Sequence, residues 1–331
     1  MSKKEEKKPI WSAFLVSEDW LLIESSKIVL LDINNGKIIN GGDQGYFGVS
    51  SASLSPDRRR LLLGGSSNGY LWDLEGDNFK KLAGLTRNSQ ALGWFNDSTA
   101  LLTGQYGGIV RLNVDRFLEK YEHRDEYYDP DGPGQQGFKI DFGEIYTDDM
   151  FWDVELDYST SVFYKKNEDV RVFEILEGER MHEYKIGDKI GYKEIDLEED
   201  HPMYSYPILM VCNENVIIRN TKDLDILDVQ TGMRLSKWEL GEKKSHIFSN
   251  LEGTKLYAYS ENKLDELDLD SKTSKSVWSA TDVKRISVVG DRLLLLLYEN
   301  RTVEVVDLTQ QKSLLKLAAY KSGEEMVIRE V

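Results

Sequence analysis

Cysteine is almost missing from this chain: Cys212 is the only one in 331 residues. A single thiol allows no intrachain disulfide, and its place in the apolar run Ile208–Cys212 (ILMVC) marks it as a small core hydrophobe. Long apolar runs are also missing. The longest, Leu293–Tyr298, is strand-sized, far short of the roughly 20 residues that span a bilayer. The opening MSKKEEKKPIW is charged, with no apolar core of signal-peptide length behind it. These absences lead to the expectation of a cytoplasmic protein. Nor is there a strand-to-helix G-x-S-x-G elbow, an H-E-x-x-H pair or a P-loop. Gly41-Gly42-Asp43-Gln44-Gly45 is glycine-rich, but it reads as a connection between strands.

Positive charge is in deficit. Lys and Arg number 42 against 58 Asp and Glu, a net charge of −16. That balance repels phosphate backbones and anionic lipid, which argues against nucleic-acid and membrane partners. It keeps a strand-rich surface soluble, and it also suits an acidic face for a basic partner. A hydrophobic fraction of 40% is slightly low for a globular protein and too high for a disordered one.

What the chain has is a repeat. Strand endings recur at Lys27–Ile33, Gly69–Leu74, Gly108–Val114, Asp169–Ile175, Asp223–Val229, Lys263–Leu269 and Thr302–Leu308. Their marker residues are Asp32, Asp73, Asn113, Glu174, Asp228, Asp268 and Asp307, with steps of 41, 40, 61, 54, 40 and 39. Short strands at a period near 40 predict an all-β fold: a seven-bladed β-propeller with four-stranded antiparallel blades. Length alone suggests two domains; a propeller makes residues 10–331 one, behind a charged, disordered tail at 1–9. In the second unit Gly48–Leu54, Arg60–Gly64, Gly69–Leu74 and Phe79–Ala83 read as strands a to d, from the centre outward. Turn residues such as Ser55-Pro56-Asp57 and Ser66–Asn68 sit between them. The acidic residue closing strand c is expected to hydrogen-bond amides of the next turn.

Leu54–Leu74 (LSPDRRRLLLGGSSNGYLWDL) resembles the WD40 and related YVTN-like propeller repeats, and Asp228–Leu235 (DVQTGMRL) is similar to the D-x-x-T-G turn of that superfamily. The resemblance implies a rigid interaction platform. Trp72-Asp73 is the one literal Trp-Asp pair, and the Gly-His dipeptide that opens many such repeats does not occur. With four histidines in all, the His–Asp–Ser/Thr–Trp networks of that family do not carry over. The closing segment Glu325–Val331 is strand-like, and the opening segment Ile10–Val16 is its expected partner, which would close the ring.

Two insertions interrupt the period, at about 115–137 and 187–206, and both mix tyrosine with carboxylates. With Phe138–Phe142 as the outer strand of the third blade, the first insertion joins strands c and d. The candidate partner-binding residues are Tyr121, Tyr127, Tyr128, Asp129, Asp131, Tyr192, Glu198, Glu199, His201, Tyr204 and Tyr206. Rigid aromatic area with a polar handle suits protein or peptide recognition. The same tyrosines also suit packing of the loops onto the blades. Asp125, Asp129 and Asp131 before Gly132 lack the alternating ligands and closing glutamate of an EF-hand. His201 beside Glu198, Glu199 and Asp200 reads more simply as a solvated acidic loop.

The function expected is therefore a non-catalytic protein-interaction platform without cofactor or metal, a monomer or a subunit of a hetero-complex. The alternative is a propeller hydrolase or lactonase with a carboxylate-bound divalent metal in the central channel.

Overall fold

The computed structural model describes residues 6–42, 48–65, 69–76, 78–82, 90–103, 109–122, 143–146, 159–176, 180–187, 190–195, 208–219, 223–240, 246–322 and 325–331. The fold is all-β: seven antiparallel four-stranded blades arranged as a β-propeller. Blades are numbered here in chain order and their strands lettered a to d. The chain divides into two compact units, Phe47–His201 and the combination of Met1–Tyr46 with Pro202–Val331.

The unit Phe47–His201 holds blades 2 to 4. Blade 2 is Val49–Leu54, Arg60–Gly65, Gly69–Asp73 and Asn78–Leu82, within a residue of the sequence reading throughout. Blade 3 is Gln90–Asn96, Thr99–Thr103, Ile109–Asn113 and Gly143–Tyr146. Its outer strand thus follows the expected Phe138–Phe142, which lies outside the described residues. The insertion does join strands c and d, and it begins as a helix, Val114–Glu122, rather than a loop. Asn113 starts that helix: its side-chain oxygen accepts from the Arg116 amide at 3.0 Å, an N-cap contact.

Blade 4 is Ser159–Lys166, Asp169–Leu176, Arg180–Ile186 and Ile190–Ile195. Glu174 therefore lies in strand b, not at the end of strand c, and Asn167-Glu168 turns a into b. Strand c ends at Ile186, 42 positions before Asp228, so the second stretched step returns to the ordinary period. The first part of the expected second insertion is simply strand d.

The other unit holds blades 1, 5, 6 and 7. Blade 1 is Ser12–Leu15, Trp20–Glu24, Ile28–Asp32 and Ile38–Gly42. Blade 5 is Ile208–Cys212, Asn215–Arg219, Asp223–Asp228 and Arg234–Glu239. Blade 6 is His246–Ser249, Leu256–Ser260, Lys263–Asp268 and Thr273–Ser279. Blade 7 is Val283–Val289, Leu293–Tyr298, Val303–Asp307 and Lys312–Ser322. The long outer strand of blade 7 carries two more strands. Glu6–Lys8, from the segment read as a tail, pairs with it, and so does Glu325–Glu330. The closing strand thus pairs with Lys312–Ser322 rather than with Ile10–Val16, whose core Ser12–Leu15 is strand a of blade 1.

The b strands are covered on both faces, as their unbroken apolar sequence requires; Leu61–Leu63 and Leu293–Leu297 are all buried. Trp72 is fully buried and stacks on Phe79 with ring centroids 4.5 Å apart. Markers at the ends of the c strands close the next turn as expected. Asp228 Oδ1 accepts from the Gln230 and Thr231 amides at 3.1 and 2.8 Å, and Asp268 Oδ1 from Asp270 and Ser271 at 3.0 and 2.9 Å. Asp32, Asp73 and Asp307 do the same. Asp225, by contrast, looks like a solvent-facing alternate of strand c but is buried, in an ion pair with Arg234 at 3.2 Å.

Neighbouring blades are tied through their a–b turns, at a spacing that repeats the period. The Asp57 amide donates to Asp97 Oδ1 at 2.9 Å, 40 residues on. The Asn213 amide donates to the Gly253 carbonyl at 2.6 Å, again 40 residues on. Asn250 Nδ2 donates to the Gly290 carbonyl at 2.8 Å, with the same separation. Gly253 has φ +64°, and a Cβ there would stand 3.3 Å from the Val211 carbonyl oxygen. These ties hold blades in register without the histidine network of the WD40 pattern.

Candidate functional site

Nine of the residues expected to meet a partner lie outside the described residues: Tyr127, Tyr128, Asp129, Asp131, Glu198, Glu199, His201, Tyr204 and Tyr206. Tyr121 lies in the helix Val114–Glu122. Tyr192 lies in strand d of blade 4, directly across from Tyr184. Its ring centroid is 5.6 Å from that of Tyr184 and 5.4 Å from that of His182, and its hydroxyl is 3.1 Å from His182 Nδ1. Tyr184 donates to Glu174 Oε2 at 3.3 Å, and His182, Tyr184 and Glu174 are all buried. The row packs with Val172 against Leu101 of blade 3. Tyr192 is thus packed on the blade, with its hydroxyl beside His182.

The described residues form an open cleft at the seam of blades 6 and 7, with a volume of about 630 Å³. Four stretches build it. The b–c turn of blade 6 brings Asn262, the end of its strand d and the connection into blade 7 bring Trp278 to Asp282, the end of strand b and the b–c turn of blade 7 bring Tyr298 to Thr302, and strand d of blade 7 brings Lys316. Backbone hydrogen bonds knit the first three together. The Ala280 amide donates to the Asn262 carbonyl at 2.9 Å, and the Glu299 amide to the Asp282 carbonyl at 2.7 Å. Tyr259, from strand b of blade 6, donates its hydroxyl to the Ala280 carbonyl at 2.6 Å.

Four non-glycine residues in these turns adopt left-handed backbone: Glu261 at φ 49°, Asn262 at φ 67°, Asp282 at φ 58° and Arg301 at φ 64°. Asn and Asp tolerate that region through local hydrogen bonding; Glu and Arg do so at a steric cost. Asn300 secures the turn by accepting from the Thr302 amide at 3.0 Å and the Thr302 hydroxyl at 2.6 Å. The rim of the cleft is therefore shaped by fixed turns rather than by long loops.

Tyr298 and Lys316 are held at the cleft by Glu304 of blade 7. Tyr298 donates to Glu304 Oε2 at 2.5 Å, Lys316 Nζ is 3.5 Å from the same oxygen, and that ammonium lies 5.1 Å from the Tyr298 ring centroid. Burial, then the hydrogen bond to Glu304 and its charge, push the Tyr298 phenol well above its ordinary value. Burial raises the Glu304 carboxyl, but hydrogen bonds from Tyr298 and Ser313 and the Lys316 charge outweigh it, leaving a net lowering. Both groups are held in their ordinary protonation states at neutral pH. The three groups tie strands b, c and d of blade 7 together.

A scan against models of protein families matches none, and a search of curated proteins finds no match. The chemistry of the cleft therefore rests on its own residues. Trp278 and Tyr298 supply half-buried aromatic surface. Asp282 and Glu299 supply exposed carboxylates, while Asn262, Asn300 and Lys316 supply polar contacts. Among the described residues no group of three or more His, Cys, Asp or Glu is placed to hold a metal ion. One literal G-x-S-x-G does occur, Gly65–Gly69 (GSSNG), and it joins two paired antiparallel strands of blade 2, with no helix behind it. No described helix is long and apolar enough to cross a membrane.

The seam was not among the sequence candidates. Its residues come mainly from three stretches, around Asn262, Asp282 and Asn300, in two neighbouring repeats, and each by itself has the composition of an ordinary turn. The one local signal was Tyr298, an amphipathic residue ending the otherwise aliphatic strand Leu293–Tyr298.

Proposed function

We propose that the chain is a non-catalytic protein-interaction platform of the WD40-like kind, working in the cytoplasm and binding a basic protein or peptide segment. The observation that carries this reading is the seam cleft: aromatic walls from Trp278 and Tyr298, and carboxylates of Asp282 and Glu299, set on fixed turns. Large aromatic anchors desolvated at a contact supply most of the affinity, and rim charges set orientation and encounter rate. A net charge of −16 favours approach of a basic partner over nucleic acid or anionic lipid. The tyrosine-acidic segments 123–137 and 196–206 offer the same chemistry as separate candidate surfaces.

The test is a pull-down with the tagged full chain against variants. Trp278→Ala removes the aromatic wall, and separate variants replace residues 123–137 and 196–206 by short turns. The expected result is a partner that co-purifies with the wild type and is lost or weakened by Trp278→Ala. A partner retained equally by all three variants contradicts the proposal.

A further inference from the structure

A second cavity, of about 280 Å³, opens at the first strands of blades 6 and 7. His246 and Phe248 come from blade 6 strand a, Tyr259 from strand b, and Lys284, Arg285 and Ile286 from blade 7 strand a. Three of those six side chains carry or accept positive charge, and none of the described lining residues is acidic. In a chain with a net charge of −16, a cavity lined in this way is a local reversal of sign. Two devices build it. The pairing of Val283–Val289 with Leu293–Tyr298 shifts register between Val283 and Arg285, so Lys284 occupies a bulge, a feature that re-aims side chains beside binding sites. Arg285 is then positioned by an aromatic ring: its guanidinium carbon lies 4.2 Å from the Phe14 ring centroid.

We propose that this cavity binds a small organic anion, with a carboxylate or phosphate head at Arg285 and Lys284 and an apolar body against Phe248, Tyr259 and Ile286. A guanidinium presents its donors as a rigid fork that matches both heads, and the neighbouring ammonium adds charge. Arg285 is exposed to solvent yet lies deep among protein atoms, the situation of a group lining a concave opening. Burial there lowers its basicity. The apolar lining defines the body: Ile286 and Phe248 are half-buried and belong to the hydrophobic cluster between the two blades. His246, whose ring centroid is 6.5 Å from that of Tyr259, closes one side. This site is separate from the seam cleft and does not depend on the interaction-platform reading.

Isothermal titration of the full chain with benzoate, phenyl phosphate and neutral benzamide tests the proposal. Saturable binding of benzoate or phenyl phosphate is expected, with benzamide at least about tenfold weaker. The stronger of the two anions identifies the head group. Arg285→Gln should weaken anion binding about tenfold or more at an unchanged melting temperature. If Arg285→Gln lowers the melting temperature, the double variant His246→Gln, Lys284→Gln, at exposed positions, must weaken binding instead. No saturable anion binding, equal binding of benzamide, or full affinity in a variant that remains folded would each overturn the proposal.

Discussion

Asn250 donates through Nδ2 to the carbonyl of Gly290, 40 residues later, at 2.8 Å, and so pins blade 6 to blade 7. The same amide group donates to Thr254 Oγ1 at 2.9 Å, while its oxygen accepts from the Thr254 and Lys255 amides at 2.7 and 2.9 Å. Asn250 is buried with every polar atom satisfied. Asn250→Asp keeps the shape but replaces both donations by a carboxylate facing a carbonyl. It should lower stability by about 1–3 kcal/mol, the cost of a buried group left without its partner. Urea unfolding measures this as a lower midpoint with an unchanged slope.

Asp307 forms the strongest version of the strand-c turn. Its Oδ1 accepts from the Thr309 hydroxyl and amide and the Gln310 amide, and its Oδ2 accepts from Arg292 Nε at 2.8 Å. The side chain is fully covered, though the turn that covers it lies at the surface. The Thr309 hydroxyl bond, opposed by burial and reinforced by Arg292 and the turn amides, holds the carboxyl far below the usual range. A depressed folded value means that the stabilisation is present above the unfolded value near 3.9 and is lost as pH falls below it. Asp307→Asn should therefore lower stability at pH 7, and the difference from wild type should shrink as pH is lowered from about 5 towards 2. Asp268, with an exposed turn and no such guanidinium bond, should give a smaller effect in the parallel Asn variant. Thermal unfolding against pH checks both.

Gly93 is fixed by a neighbouring blade. A Cβ at this position would stand 2.7 Å from the edge of the Phe163 ring. Gly93→Ala should destabilise by about 1–3 kcal/mol, as overpacking does, and Phe163→Leu in the same chain should recover part of that loss. Additive losses in the double-mutant cycle would show that the two residues do not share the space.

Cys212 is buried, and burial pushes its thiol up to about 11. The thiolate fraction at pH 8 is then very small, so a disulfide reagent such as dithionitrobenzoate should react slowly with the native protein and fast once it is unfolded. Titration of native and urea-unfolded chain with the reagent gives the two rates.

Much of this architecture is legible in the sequence because each blade repeats its own turn chemistry. Asp32, Asp73, Asp228, Asp268 and Asp307 are recognisable as turn-closing residues, and Asn113 as their counterpart, which caps a helix instead. Blade 4 misleads for a physical reason. Asp169–Leu176 (DVRVFEIL) has the apolar alternation and acidic ending of a c strand, and Asn167, at φ 56°, suits either hairpin of a blade. That one-strand shift turns the real outer strand Ile190–Ile195 into an apparent insertion and makes Tyr192 look like a loop residue. Asp225 misleads in another way: alternation places it towards solvent, and only the pairing of strands c and d brings Arg234 beside it. The seam cleft is illegible locally, since Asn262, Asp282 and Asn300 meet only through the packing of two blades.

Asp282 and Glu299 make the cleft selective for positive charge in this account. Asp282→Asn keeps a residue that tolerates its left-handed backbone, and Glu299→Gln keeps the size, so the double variant removes charge alone. It should weaken the partner about tenfold at low salt and less at high salt, because rim charges act mainly through screened attraction. Surface-plasmon titrations across salt concentration measure this.

Hydrogen–deuterium exchange of the full chain with and without its purified partner tests the central claim most directly. The account predicts slowed exchange at Trp278–Asp282 and Tyr298–Thr302 in the complex, the two stretches that carry the walls of the cleft. Protection confined to other blades, with these two stretches exchanging as in the unbound chain, would contradict it.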